Sequence, residues 1–326
     1  LGAEKTNNKV NIRLWLGSLI VLVMLIAAIG GSWFAPYAKD YRPGIQYVEG
    51  DKGMTLIVPP LPPSLQHPFG TDKTGNDLLS SMLYGAKVTF FSMLLIAAAR
   101  VVIGGLIGMF AGLKGRKKQK RKKSSIGIIN ALPVFIIVYF VMIHLNTQIV
   151  GIIDPDIRPV SLAILLGAVL TLLGVRGVAS VIQERTAELT NKEFFLAAKL
   201  LGAGKRRLIF KHIVPSIREN LAVVFLNECI LTLSLIGQLG IFYVFVGGTL
   251  LYKGDITSVT VPFVGEGNPF PITFEWAGLI GAGRTNLVFH QWIFLFPLLG
   301  YVLLILGLHF LQTGFQQSQN SRAPHI

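Results

Sequence analysis

"HPFGTDKTGNDLLSSMLYGAKVTF", residues 67 to 90, passes from a polar, turn-rich half into an apolar one. Pro68, Gly70 and Gly75 shape tight turns, and Asp77 is placed to cap a short interfacial helix beginning near Leu78. What this segment does depends on whether it borders a membrane, and composition answers that. Of the 326 residues, 52% are hydrophobic and 14% charged. Mean hydropathy is +0.60, well to the apolar side of a soluble domain, in which about 25% of residues are charged. A bilayer core takes roughly 20 apolar residues per helix. Six stretches reach or approach that length: 12–34, 88–112, 126–145, 159–175, 221–246 and 292–311, the fourth being the shortest. The expectation is an all-α membrane protein of about six transmembrane helices.

The net charge of +14 is distributed by position. Lys5, Lys9 and Arg13 precede the first span. Lys114, Arg116, Lys117, Lys118, Lys120, Arg121, Lys122 and Lys123 fill the link between the second and third. Arg185, Lys192, Lys199, Lys205, Arg206, Arg207 and Lys211 lie between the fourth and fifth. In a six-span topology all three segments fall on one side, which by the positive-inside rule puts both termini in the cytoplasm. The basic run then reflects topology and contact with anionic lipid, and nucleic acid is not an expected partner. The first span runs into Trp33-Phe34-Ala35-Pro36 without a small-residue cleavage site, so it reads as a retained helix. The sequence opens on Leu1, which suggests a truncated N-terminus or a remnant. The single cysteine, Cys229, excludes an intrachain disulfide and any cysteine-built metal site.

Asp72-Lys73-Thr74-Gly75 resembles the phosphorylation site of P-type ion pumps, whose aspartate accepts a phosphoryl group from ATP. With the cytoplasm on the basic side, however, residues 36–87 form an extracytoplasmic loop, where there is no ATP. Asn76-Asp77 also replace that family's Thr-Leu-Thr continuation, and no loop here houses a nucleotide domain of about 100 residues or more. "GAGK" at 202–205 lacks the first glycine of a P-loop and has Arg206 where Ser or Thr is required. No cofactor is expected in this chain, so a powered process draws on a partner.

A wider pattern fits better. His67, Pro68, Gly70, Thr71, Asp72, Gly75, Asp77, Ser80, Tyr84, Gly85 and Ala86 resemble the segment before the second helix in the C-type permease subunit of dipeptide, oligopeptide and nickel ABC importers. Between the fourth and fifth spans lies "NKEFFLAAKLLGAGKRRLIFKHIVPSIREN", residues 191–220. At about 100° per residue, Arg185, Glu188, Lys192 and Lys199 form a polar stripe opposite Phe194, Ala197, Ala198 and Leu201. That pattern reads as an amphipathic helix parallel to the membrane. Gly202 and Gly204 permit a turn with positive φ, and Pro215 marks the start of the fifth span. Ala197-Ala198, Gly202 and Val214-Pro215 resemble the EAA loop of ABC importer permeases, with Leu196 in place of its glutamate and His212 in place of isoleucine. "WAGLIGAGR", residues 276–284, is similar to the segment before the last helix of that subfamily at Trp276, Gly283 and Arg284, with Ala277 replacing a glycine. Trp276 reads equally as part of an outer aromatic belt.

The resemblance implies a type I ABC importer permease fold with a cytoplasmic coupling helix. Residues 1–35 hold the N-terminal segment and first helix, 36–87 the extracytoplasmic loop, and 88–326 the core permease domain with its coupling loop at 185–215. Glu193, Leu196, Ala197, Ala198, Gly202, Ala203 and Pro215 are the implied ATPase-coupling residues. The implied partners are a second permease subunit, two ABC ATPase subunits that bind ATP and Mg, and an extracellular substrate-binding protein, all at the bacterial cytoplasmic membrane. The implied cargo is a di- or oligopeptide, with nickel or a metal chelate as the alternative. An ATP-independent secondary transporter, or a receptor scaffold, is the rival from another class. Arg100 and Glu228, ionisable groups deep in the second and fifth spans, are candidates either for the translocation path or for an internal ion pair.

Overall fold

In hydrocarbon a chain satisfies its peptide N–H and C=O groups only within itself, so apolar runs of this length fold as helices. The computed structural model describes residues 11–39, 41, 46–50, 53–114, 133–149, 158–251 and 269–322. Helices α1 (Ile12–Phe34), α2 (Leu78–Gly112), α3 (Val134–Asn146) and α4 (Arg158–Thr190) are followed by two short helices, α5 (Glu193–Leu200) and α6 (Lys205–Leu208). A wide turn, Ile209–Ile213, joins α6 to α7 (Val214–Ile241); a short α8 (Trp276–Gly283) and a long α9 (Trp292–Arg322) complete the order. Among the described residues, five helical stretches are long and apolar enough to cross a membrane. The sixth, α3, is apolar but has 13 residues. The start of its expected span, and residues 115–123 of the lysine run, lie outside the described residues.

The long helices alternate in direction. Asn11 Nδ2 donates to the Gly314 carbonyl 2.8 Å away, pairing the start of α1 with the end of α9. Gln319 Nε2 reaches the Glu219 carbonyl at 3.1 Å at this same end. Residues 11, 114, 191–213 and 322 therefore share one end, here the basic end. Residues 35–39, 41, 46–50, 53–77, 147–149, 242–251 and 269–291 share the other, the loop end. There β1 (Gln46–Gly50) and β2 (Gly53–Ile57) form a hairpin. β3 (Thr147–Ile149) pairs in parallel with β4 (Thr249–Leu251), which pairs antiparallel with β5 (Pro269–Pro271).

Three helix boundaries differ from the hydropathy reading. α2 starts at Leu78, so the expected interfacial helix and the second span are one helix. α4 runs 33 residues to Thr190, making the span expected to be shortest one of the longest. Its apolar window ends near 175 because Arg176, Glu184 and Arg185 follow, yet charge does not terminate a helix. α7 stops at Ile241, not 246. Tyr243 at φ 61, Gly247 at φ +90 and Gly248 at φ +103 turn the chain back. Phe245 in this turn is fully buried, and a buried apolar turn cannot be told from helix by hydropathy alone.

The main core gathers Met82, Phe90, Met93 and Ala97 of α2 with Leu166 and Leu170 of α4, Leu233 and Leu239 of α7, Trp276 of α8 and Leu304 of α9. A second, smaller core at the basic end joins Met109, Val178 and Ile182 to Phe195, Leu208, Ile209, Ile213 and Ile217. The two cores are bridged by the α2–α4 contact, the most extensive between helices. Gly104, Gly108 and Gly112 recur on one ridge of α2 and sit against Val178, Ala179–Ile182 and Thr186 of α4, close enough that a methyl on any of them would collide. Small residues at this spacing let two membrane helices approach closely.

Candidate functional site

At the loop end the segment 61–77 is closed on itself by its own side chains. Asp72 Oδ1 accepts from Thr74 N, Thr74 Oγ1 and Asn76 N at 2.9, 2.8 and 2.8 Å, and Oδ2 accepts from Asn76 Nδ2 at 2.8 Å. Burial pushes this carboxyl above the usual carboxylate range, against the pull of those bonds. Both oxygens are thus committed to the loop, the arrangement of a structural aspartate and not of a nucleophile. Thr71 N donates to the Leu61 carbonyl while Thr71 Oγ1 accepts from Leu61 N, at 2.9 and 2.7 Å. Gly70 at φ +75 packs against the Trp292 indole, whose Nε1 donates to the Thr71 carbonyl at 3.3 Å.

Asp77 caps α2. Its Oδ2 accepts from Ser80 N and Ser80 Oγ at 2.8 and 2.7 Å, and its Oδ1 lies 2.9 Å from His67 Nδ1. Ser80 Oγ in turn accepts from Tyr37 N at 3.1 Å, tying α2 to the chain that leaves α1. Gly85, one residue after Tyr84, is where the Phe274 carbonyl presses onto α2; any Cβ there would overlap it. This contact seats α8. Trp276 N donates to Thr89 Oγ1 at 2.9 Å and Trp276 Nε1 to the Met82 carbonyl at 2.8 Å. Trp276 is buried, so it belongs to the interior and not to an aromatic belt. Arg284, at the end of α8, donates from Nη1 to the Ile241 carbonyl at 2.6 Å and from Nε to Tyr243 Oη at 2.9 Å, capping α7.

Sequence reasoning missed Glu275. It is fully buried and caps α8, with Oε2 accepting from Ala277 N at 2.8 Å and Oε1 from Val246 N at 3.4 Å. Burial pushes its carboxyl up to about 7, offset in part by those N–H groups. The available signal was a lone acid in an apolar stretch outside the spans.

The basic end is built differently. α4 ends at Thr190, and a turn at Asn191–Lys192 breaks the helix before α5 begins at Glu193. The polar stripe joining Arg185 and Glu188 to Lys192 and Lys199 therefore does not exist as one face. A break of this kind resets the helical phase, and the buried side of α5 is Phe195, while Phe194, Leu196 and Ala197 are exposed. Ala198 and Ala203 are half-buried against the second core. Gly202, at φ +78, ends α5, and the Ala203 N–H returns to the Ala198 carbonyl at 3.1 Å. Leu200 and Leu201 stand almost free, 88% and 89% exposed. Glu193 is exposed in the first turn of α5 and Pro215 lies in the first turn of α7. Glu193, Leu196, Ala197, Ala198, Gly202 and Ala203 thus lie together on α5 and the turn after it as one small platform, held from below by Phe195, Leu208 and Ile209, which the sequence reading did not single out, while Pro215 lies beyond the wide turn.

Arg100 and Glu228 meet inside the bundle. Arg100 Nη1 donates to Glu228 Oε2 at 3.2 Å, and Arg100 Nε and Nη2 donate to the Leu170 carbonyl at 3.0 and 2.7 Å. Both side chains are buried.

Residues 104–320 match the family described as binding-protein-dependent transport system inner membrane component. The chain belongs to this family. The match starts within α2 and takes in the whole platform at the basic end, and the expected all-α, type I permease fold holds for this family member. This inner membrane component is similar to the oligopeptide transport system permease protein OppC of Bacillus subtilis, 26% identical over 282 residues, 86% of this chain and 76% of that protein. It is likewise similar to OppC of Haemophilus influenzae, 26% identical over 304 residues, 93% of this chain and 83% of that protein. The dipeptide transport system permease protein DppC of B. subtilis is 26% identical over 200 residues, 61% of this chain and 54% of that protein.

Proposed function

We propose that this chain is one transmembrane half of an ATP-driven importer that moves di- or oligopeptides inward across the cytoplasmic membrane by alternating access. The basic end faces the cytoplasm, and both termini with it. There the platform of Glu193, Leu196, Ala197, Ala198, Gly202 and Ala203, extended by Leu200 and Leu201 and with Pro215 beyond the wide turn, seats on an ABC ATPase subunit. A second permease subunit completes the pore, a second ATPase serves it, and a binding protein delivers solute at the loop end. ATP and Mg belong to the ATPases, and this chain performs no hydrolysis.

The observation that carries this reading is the exposed apolar tip at Leu200–Leu201 on a base anchored in its own core. Two leucines that the chain leaves uncovered beyond its apolar spans serve a partner surface. The peptide cargo is supported by the relatives, which are oligopeptide and dipeptide permeases by name.

Co-purification in mild detergent tests the assembly. A second permease chain and ATPase subunits should accompany this one, with ATP hydrolysis in the complex; a chain that purifies alone and moves peptide alone contradicts it. Orientation is read separately, with Cys229 replaced and a cysteine placed at Leu65, which is fully exposed. A membrane-impermeant thiol reagent should label it on intact cells, and labelling only after lysis would invert the topology.

A further inference from the structure

α7 is reached from the platform through the second core. After the turn at 201–204 the chain is helical from Lys205 through the wide segment 209–213 to Ile241, and Phe195 packs with Leu208, Ile209, Ile213 and Ile217 of that stretch, so a displacement at the basic end passes into α7. α7 packs directly on α2 but has little direct packing on α4, whereas α2 and α4 are joined extensively, at the basic end by the glycine ridge. Arg100 lies on that same ridge, one turn before Gly104, at the four-residue spacing of Gly104, Gly108 and Gly112. Its guanidinium crosses to α4 and takes the Leu170 carbonyl with two N–H groups. It fits because Gly174, one turn on, leaves a notch that any Cβ would fill. The remaining contact, from Nη1 to Glu228, is to α7. A buried arginine holding a carbonyl and a carboxylate on two other helices is directed at the protein and not at a passing solute.

We infer that Arg100 is a positioning residue of the transport cycle: through Glu228 and the Leu170 carbonyl it links α7 to α4 at mid-depth, where the two helices have little packing of their own, so that motion entering α7 at the platform turns α2, α4 and α7 together. This rests on the reading of the chain as a permease driven through that platform. Glu228 is its counter-charge, and Gly174 is the residue that lets the guanidinium reach α4.

The test uses the complete transporter in proteoliposomes, with every other cysteine replaced and spin labels at Leu172 of α4 and Leu231 of α7, both on exposed positions. The distance between labels should be the same in the nucleotide-free and the ATP–vanadate-trapped states. A distance that changes between those states with the pair intact overturns the inference. Uptake of trialanine and of its lysine- and glutamate-containing counterparts is then measured with ATP hydrolysis in the Arg100→Leu/Glu228→Leu double variant. Removing one partner strands a buried charge, whereas replacing both by apolar groups is tolerated. The double variant should assemble, lose the fixed label distance, and move several-fold less of all three peptides per ATP. An unchanged ratio overturns the inference, as does loss of the charged peptides alone, which would place the pair on the solute path. If the double variant fails to assemble, the label distance with the native pair decides. An unmodified complex with no ATP-dependent trialanine uptake would instead defeat the underlying reading, and the proposal with it.

Discussion

Two small parts of this molecule, the 72–77 and 275–277 segments of the loop end and the 200–202 turn of the basic end, treat polar and apolar groups in opposite ways. At the loop end Asp72, Asp77, Glu275 and Trp276 are buried and each has its hydrogen bonds made within the chain. At the basic end Leu200 and Leu201 are almost wholly uncovered by the chain, and Gly202 has nothing near its missing side chain. A segment whose buried polar groups are bonded within the chain is a structural part. The exposed 200–202 turn is, on the function proposed above, the part that a partner covers. Substitutions should therefore cost folding at the first and partnership at the second.

The largest effect is expected at Gly85, where a leucine would drive a Cβ into the Phe274 carbonyl and unseat α8. Overpacking costs about 1–3 kcal/mol, and toward the top of that range against backbone; thermal unfolding of the Gly85→Leu protein in detergent should show it, and near-native stability would break the comparison at its strongest point. Glu275 gives a pH signature. Its carboxyl titrates near 7 in the folded chain against an ordinary value of 4.5. Between those values the native state holds the extra proton, so stability should fall as pH rises from about 4.5 to about 7 and level off on either side. Glu275→Gln should flatten that slope in melting curves taken across the window. Asp77→Ala removes a cap and strands His67, and should cost about 2 kcal/mol by the same melting assay.

At the basic end the order of effects reverses. Gly202→Val strains a positive-φ turn locally, by roughly 1–3 kcal/mol, but meets no atom. The permease should remain folded in detergent while its retention of ATPase subunits drops at least about tenfold, a difference of roughly 1.4 kcal/mol. Leu200→Ser with Leu201→Ser should leave stability within about 0.5 kcal/mol, as for exposed positions, and still weaken ATPase binding in a pull-down. A large loss of stability from that pair would show that the tip serves the fold.

How much of this was legible in the sequence follows from what each pattern encodes. The apolar runs and the placement of lysine and arginine encode immersion, so the helices and their alternation could be read. The cap at Asp77, the turn at Gly202 and the close approach at Gly85 were marked by residue types with few other uses. What hydropathy cannot encode is where a helix stops. α4 continued past its last apolar window, and the 242–248 segment was apolar because it is buried and not because it is helical. The phase of α5 was misjudged for a related reason, since a helical wheel drawn across residues 185–201 assumes an unbroken helix and the turn at Asn191–Lys192 breaks it. Phe195, not Phe194, became the anchor as a result. An internal ion pair was one of the two readings open for Arg100 and Glu228, but the notch at Gly174 that lets Arg100 also reach α4 is on a third helix, a relation that no spacing within one helix displays.

The most direct measurement is the accessibility of the tip itself. With Cys229 replaced and a cysteine at Leu200, the chain would be labelled by a membrane-impermeant thiol reagent in inside-out vesicles, with and without its ATPase subunits. The account predicts rapid labelling of the chain alone and protection in the assembled complex. Equal labelling in both would mean that the platform at the basic end is not where the ATPase seats.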